Sequence, residues 1–299
     1  MYRQEMLTAI VPIHNFRQRA IHLLELFKTC CEFPIFLILV LDTKSDKEYV
    51  DLIESLANYK QLRYCLIRGD FESPGLARNK GLELCESEYL VFWDSDDAVL
   101  PSVYLELVEI LKQNGGNLGV ADISVLDKRF GSKVTTHSIL PGTSLLEQIA
   151  VFPAFTRLVF KRSLIEDTRF SDKSIGEDLN FVAEILIKNV AAWSLNKVAY
   201  VYNTGFSDQL TFHKNIAPDA IANLLFLKKN ISKSDSENSI QYIFAIRQML
   251  SYLKRIRSSN FREFATFTQL SYSIFRCNPT CFLKACYIVM RLRRPLFEK

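Results

Sequence analysis

Asp94, Asp96 and Asp97 place three carboxylates within four residues, directly behind the apolar run YLVFW. At neutral pH these charges repel one another. A hard cation with oxygen ligands relieves that repulsion, and Mg2+ or Mn2+ suits such a set when phosphate oxygens complete its shell. An acidic turn capping a helix that starts near Leu100 would use the same residues, and chemistry alone leaves both readings open. Other acids follow other apolar runs. Asp42 ends IFLILVL, and Arg68 to Asp70 lie just beyond LRYCLI. The first apolar run closes on His14 and Asn15.

These groups need a frame. Leu7 to Ile13, Ile35 to Leu41, Leu62 to Ile67 and Tyr89 to Trp93 are short apolar runs of buried-strand type. Between them, 19–31, 47–58 and 76–85 carry helical spacing. Strictly alternating strands and helices predict an α/β fold with a doubly wound, mostly parallel sheet. Ligands of such sheets bind at the carboxyl ends of the strands, which is where the acids fall. Further strands are predicted at 119–124, 133–138, 155–160 and 193–202, and helices at 145–150, 161–166 and 178–188. After Ala217 glycine is absent, and helices are predicted at 224–230, 239–257, 261–277 and 280–294, with SKSDSENS as a hydrophilic linker. The expected division is a 1–215 α/β domain and a 216–299 basic helical region.

The charge is unevenly spread. From Gln241 onward there are 11 Lys and Arg against 2 Glu, a local +9 that leaves −5 on the first 240 residues. The basic residues, among them Arg247, Lys254, Arg255 and Arg257, alternate with long apolar runs rather than with Gly, Ser or Asn. That pattern points to an anionic membrane surface rather than to nucleic acid. CFLKACYIVMRLRRP is too short to span a bilayer but suits its interface, a solvated bundle face or an oligomer contact. The charged start MYRQEM and an apolar run broken by Pro12 predict no signal peptide. Seven cysteines in apolar surroundings read as reduced thiols, and Cys277 and Cys281 lack the second pair a zinc site needs.

The stretch SPGLARNKGLELCESEYLVFWDSDDAVLPSVYLELV resembles the central signature of family 2 glycosyltransferases. Gly75, Ala77, Arg78, Asn79 and Gly81 form its helix start, and Asp94, Ser95 and Asp96 its D-x-D. TAIVPIHN resembles the family's first strand, with His14 where tyrosine is usual, and LILVLDTKSD the second, one residue short between Asp42 and Asp46. FTRLVFKRSLI, GEDLNF and VYNTGFSDQLT complete a resemblance over residues 7 to 213. It implies the GT-A fold and an inverting hexosyltransferase that builds bacterial surface polysaccharide. The donor would be a nucleotide sugar, with UDP expected, and the acceptor a glycan or lipid-linked. The enzyme would work in the cytoplasm as a peripheral protein of the inner membrane face.

The resemblance also implies roles. Asp96 would coordinate Mn2+ or Mg2+ between the donor phosphates, with Asp94 on the metal, ribose or sugar, and Asp97 in support. Pro12, His14, Asn15, Asp42, Ser95 and Arg157 would line the donor. Arg78 and Asn79 would contact base or pyrophosphate, or else bridge their helix to the acidic loop. Direct displacement at the anomeric carbon needs a base for the acceptor hydroxyl. Asp178 is the expected base with Glu177 as its neighbour, the two being exchangeable, and a first-turn role by the helix dipole is the bland alternative. Trp93 and Phe92 are expected in the core. A nicotinamide oxidoreductase is disfavoured by the missing G-x-G-x-x-G after the first strand. A non-catalytic nucleotide-sugar-binding protein is the remaining rival.

Overall fold

The computed structural model describes residues 7–127, 133–172, 176–204, 217–231, 239–253 and 261–293. They form two compact units, one built on a sheet and one entirely of helices.

In the sheet unit, β1 (Leu7–His14), β2 (Ile35–Asp42), β3 (Arg63–Gly69) and β4 (Tyr89–Phe92) are parallel in the order β3-β2-β1-β4. Both faces are covered, so β1, β2 and β4 are almost continuously buried, as their unbroken apolar runs require. The intervening helices are α1 (Phe16–Cys30), α2 (Asp46–Leu56) and α3 (Pro74–Glu83). Ser45 and Ser73 start α2 and α3 by accepting Glu48 N–H and Leu76 N–H, and Pro74 opens α3, where a missing N–H costs nothing. Gly81 lets α3 lie close on the sheet, because a Cβ there would overlap the Ile10 side chain.

Chain order runs outward from β1 to β3, then jumps back to β4 on the other side of β1. The switch point therefore lies between the carboxyl ends of β1 and β4, where this class of sheet opens a crevice.

Past β4, β5 (Ala98–Val99) leads into α4 (Pro101–Asn114), followed by β6 (Leu118–Asp127), β7 (Lys133–His137), β8 (Leu158–Lys161) and β9 (Ala192–Thr204). β8 lies antiparallel between β4 and β6, β9 runs parallel to β6, and β5 pairs antiparallel with β9. Two readings of the sequence differ here. The predicted strand 155–160 begins as a 3-10 turn at Phe155–Arg157, and the predicted helix 161–166 is one 3-10 turn at Arg162–Leu164. Lys161 still pairs with Tyr89 of β4, so the chain cannot coil before Arg162. β5 escaped notice because two residues carry no periodicity. Trp93 and Phe92 are fully buried core residues, Trp93 beside Tyr104 at 5.2 Å and Phe92 against Phe155, Phe160 and Phe170.

The helical unit consists of α5 (Leu145–Val151), α6 (Glu177–Ile185), α7 (Ala217–Ile231), α8 (Ser239–Leu253), α9 (Phe261–Cys277) and α10 (Pro279–Arg293). It thus takes in α5 and α6 from the 1–215 stretch as well as the C-terminal helices. The reason is packing: α5 lies on α8 and α10, and α6 on α7 and α8. α8 is buried around most of its circumference. α10 turns Cys281, Ala285, Ile288, Val289 and Leu292 inward and exposes Leu283, Tyr287 and Met290 to about 60% each. No described helix is long and apolar enough to cross a membrane. Lys254, Arg255 and Arg257 lie outside the described residues.

All seven cysteines are free. Burial pushes the Cys30 thiol up to about 12 and raises that of Cys85, while Cys277 is exposed. Because the thiolate is the nucleophile, Cys30 at pH 8 holds only about one part in ten thousand in reactive form. Maleimide pulse-labelling of the native protein at pH 8, read by peptide mass spectrometry, should mark Cys277 first and reach Cys30 and Cys85 only after unfolding. Equal rates at Cys30 and Cys277 would contradict the packing of α1 on the sheet.

Candidate active site

His14 and Asp42 end β1 and β2 opposite each other in register. His14 Nδ1 and Asp42 Oδ2 stand 3.3 Å apart, with His14 70% exposed and Asp42 17%. The other oxygen, Asp42 Oδ1, accepts Phe71 N–H at 2.9 Å. Asp42 is thus fixed at the strand mouth while one edge of its carboxylate faces the exposed imidazole. Pro12 is half-buried, two residues beyond the last β4 partner Ile10, so its missing N–H costs that ladder nothing. Asn15 turns the chain into α1 in the left-handed region, at φ 54°. Asparagine tolerates that conformation better than most side chains.

Beyond β4, Trp93 N–H still donates to Ile10 C=O at 3.1 Å. The acidic residues then turn away from β1, and each is held differently. Asp94 Oδ1 accepts from Arg78 Nη2 at 2.7 Å. Arg78, itself 5% exposed, lies with its guanidinium 4.6 Å from the Phe155 ring and 5.4 Å from the Phe170 ring. Two aromatic faces and a carboxylate therefore lock the cation, each ring worth about 0.5–2 kcal/mol. Ser95 is buried. Asp96 is half-exposed, and its carbonyl accepts from Asn203 Nδ2 at 2.9 Å.

Asp97 is different again: it is 4% exposed, and both of its oxygens face protein donors. Tyr200 donates its hydroxyl to Oδ2 at 2.6 Å, and Asn203 its N–H to Oδ1 at 2.7 Å. Burial holds the Asp97 carboxyl well above the usual range, the charges of Asp96 and Asp94 add to this, and the two hydrogen bonds pull against it.

The three acids thus separate into an interior anchor, Asp97, and two outer carboxylates, Asp94 and Asp96. Among the described residues no three His, Cys, Asp or Glu side chains group so as to hold a metal ion by themselves. Two outer carboxylates fit Mg2+ or Mn2+ all the same. Such ions are commonly held by one or two carboxylates, with the remaining positions taken by substrate phosphate and water.

Asn79 spends its amide elsewhere: Nδ2 donates to Phe170 C=O at 2.8 Å and Oδ1 accepts Phe170 N–H at 2.9 Å. The expected contact with base or pyrophosphate is replaced by a staple that seats Phe170 under Arg78. Arg157, expected to meet phosphate, is 2% exposed. Its 3-10 turn precedes β8, an interior strand of the sheet. Burial lowers its pKa to about 10, and the charge of Asp122 acts in the opposite sense. A groove of about 580 Å³ runs along α3, lined by Phe71, Glu72, Leu76 and Asn79 among others. The cations at its edge are satisfied locally, Lys80 by Glu83 at 2.6 Å and Arg169 by the Glu166 and Thr168 carbonyls.

Glu177 and Asp178 belong to the helical unit and open α6. Glu177 is buried and Asp178 half-exposed, with Asp178 Oδ1 accepting Leu179 N–H at 2.7 Å. Gly176 precedes them at φ 82°, and a Cβ there would strike the Asn223 amide of α7. Asn180 Nδ2 also donates to Asn223 Oδ1, at 2.8 Å. α7 thereby fixes how the first turn of α6 begins. Three supporting residues were not singled out in the sequence: Tyr200 and Asn203, which bond to the acidic loop, and Asn223, which bonds to Asn180 of α6. Tyr200 sits in strand-like text, Asn203 within VYNTGFSDQLT with no role of its own, and Asn223 just ahead of the predicted helix 224–230.

The family model described as Glycosyl transferase family 2 matches residues 8–168. Poly(ribitol-phosphate) beta-N-acetylglucosaminyltransferase TarS of Staphylococcus aureus is 21% identical over 207 residues, covering 66% of this chain but 35% of TarS. The chain therefore spans about a third of that relative. GalNAc(5)-diNAcBac-PP-undecaprenol beta-1,3-glucosyltransferase of Campylobacter jejuni is 24% identical over 213 residues, 69% of this chain and 67% of that one. Among solved structures, TarS residues 1–349 in complex with UDP superpose with a TM-score of 0.70 at 18% identity, over 97% of this chain and 85% of that one. A mannosyltransferase of Pyrobaculum calidifontis in complex with GDP-Man and Mn2+ reaches a TM-score of 0.58 at 14% identity, over 100% of this chain and 89% of that one. The fold is that of the GT-A glycosyltransferases. With carboxylates gathered on the carboxyl edge of such a sheet, and the family model covering more than half of the sequence, the chain belongs to glycosyl transferase family 2.

Proposed function

We propose that the protein moves a monosaccharide from a nucleotide sugar, UDP-linked, to a glycan or lipid-linked acceptor of a bacterial surface polysaccharide. The observation that carries this reading is the clustering of Asp42, Asp94 and Asp96 at the carboxyl ends of β2 and β4, on either side of the β1 terminus. The UDP complex of TarS and the acceptors in the names of both bacterial relatives support the choice of donor and acceptor.

In this reading Asp42 accepts hydrogen bonds from base or ribose, with His14 beside it, while Pro12 and Asn15 shape the turn that the nucleotide meets. Asp94, set by Arg78, and Asp96 would hold Mn2+ or Mg2+. Such an ion supplies Lewis-acid stabilisation of the charge that grows on the departing diphosphate. The acceptor oxygen bonds to the anomeric carbon as the bond from that carbon to the β-phosphate oxygen breaks. The nucleoside diphosphate leaves with the electron pair, and Asp178 takes the hydroxyl proton, with Glu177 as its neighbour. One displacement from the opposite face inverts the anomeric configuration.

Calorimetric titration with UDP, with and without Mn2+, tests the donor side. Asp96→Ala should weaken Mn2+-dependent UDP binding by about tenfold or more. UDP affinity that ignores chelator in both proteins removes Asp96 from the site. Asp178→Asn should keep that affinity while losing sugar transfer, or donor hydrolysis, by about 10²-fold or more. Near-normal turnover rejects it as the base. UDP binding by the unaltered protein without hydrolysis of any donor in a UDP-sugar panel would establish a binding protein instead.

The outer face of α10 supports a place on the cytoplasmic surface of the cell membrane. Leu283, Tyr287 and Met290 recur at helical spacing, flanked by exposed Lys284 and Arg291, and α10 contains no acid. An apolar stripe with a cationic flank suits an interface rich in anionic lipid. The full chain should co-sediment with phosphatidylglycerol vesicles but not with phosphatidylcholine, and Leu283→Glu with Lys284→Glu should abolish it. No sedimentation, with a dimer that the same pair of changes dissociates, assigns the stripe to self-association.

A further inference from the structure

We infer that Tyr200 and Asn203 of β9 are positioning residues of the donor site: they set where the acidic loop presents Asp94 and Asp96. This rests on the donor-site reading above.

After Trp93 the loop leaves β1 and is tied to β9. Tyr200, fully buried, uses its hydroxyl twice: it accepts Asp94 N–H at 3.1 Å and donates its only proton to Asp97 at 2.6 Å. Asn203, 4% exposed, also acts twice, through its N–H to Asp97 at 2.7 Å and its side-chain amide to Asp96 C=O at 2.9 Å. Immediately downstream, Ala98 and Val99 pair with Val201 and Tyr200, and Leu100 N–H donates to Ala199 C=O at 2.8 Å. Two side chains on one strand therefore touch three of the four loop residues.

The clamp has a cost that a simple turn avoids. It buries the Asp97 carboxylate close to two others, which desolvation and like charge both oppose. Short hydrogen bonds to an anion, about twice as strong as neutral ones, offset that penalty. What the arrangement gains is geometry. Asp97 cannot swing outward, so the peptide planes on either side of Asp96 are fixed, while Arg78 fixes Asp94 through its side chain. Ligands of a metal or a diphosphate work only when held within about 0.5 Å of the productive position.

The test compares two buried tyrosines. Tyr104 is also fully buried and donates its hydroxyl to Thr156 C=O at 2.7 Å, where Tyr200 bonds to Asp94 and Asp97 of the loop. Tyr200→Phe and Tyr104→Phe should both melt cooperatively, each at a lower Tm than the parent. Only Tyr200→Phe should weaken UDP affinity in Mn2+, by about tenfold or more, and both should stay within about twofold of the parent in EDTA. Asn203→Ser, which keeps the backbone N–H, should follow Tyr200→Phe and serves as the reading if the latter does not fold. Equal Mn2+–UDP affinity in Tyr200→Phe, or in Asn203→Ser, and in Tyr104→Phe overturns the inference. If the parent itself shows no Mn2+-dependent UDP binding, the donor-site reading falls and takes the clamp's role with it. If the parent binds, Asp96→Ala does not, and Tyr200→Phe binds normally, the clamp alone is refuted.

Discussion

Repulsion among Asp94, Asp96 and Asp97 is the constraint around which the sheet unit is organised. Three carboxylates within four residues do not stay together unless something opposes their repulsion. Here the opposition is divided in space. Asp97 is drawn inward onto Tyr200 and Asn203, Asp94 is turned onto Arg78, and Asp96 is left at the rim with its backbone tied down. Each supporting group is itself supported: Arg78 by the Phe155 and Phe170 rings, and Phe170 by the Asn79 amide. A chain of buried contacts thus runs from the α3 signature to the acidic loop. Arg78 and Asn79 are thereby joined to the acidic loop through protein contacts.

The two units position their acidic side chains by different devices. The sheet unit presents carboxylates at strand ends, where strand register decides position: His14, Asp42 and Gly69 stand side by side because β1, β2 and β3 end together. The helical unit presents Glu177 and Asp178 at the start of a helix, where a glycine decides position. Gly176 at φ 82° leaves room for the Asn223 amide and sets the direction in which α6 starts. Rigid elements hold such groups better than loops do. In both units the positioning residue is a buried polar side chain from a distant part of the chain.

Much of this was legible in the text of the chain. Unbroken apolar runs such as IFLILVL announce strands covered on both faces, and their alternation with helical spacing announces a doubly wound sheet. Asp42 and the 94–97 acids follow such runs, which puts them at carboxyl strand ends, where ligands of this class of sheet sit. The sequence also made the C-terminal region helical and basic. It did not show that the Asn79 amide is bonded to the Phe170 backbone or that Arg157 is buried. A polar residue in a signature reads the same whether it meets a ligand or a neighbouring backbone.

Local residue order determines secondary structure, because helix and strand periods are written in a few consecutive side chains. It determines the acidic motif for the same reason. Only the tertiary structure decided which of the three acids is the anchor, since that depends on Tyr200 and Asn203, roughly a hundred residues away. It alone joined α5 and α6 to the C-terminal helices, since packing matches buried faces and not neighbours in sequence. Long-range hydrogen bonds and burial have no period along a chain. What they govern becomes visible only when the chain is folded.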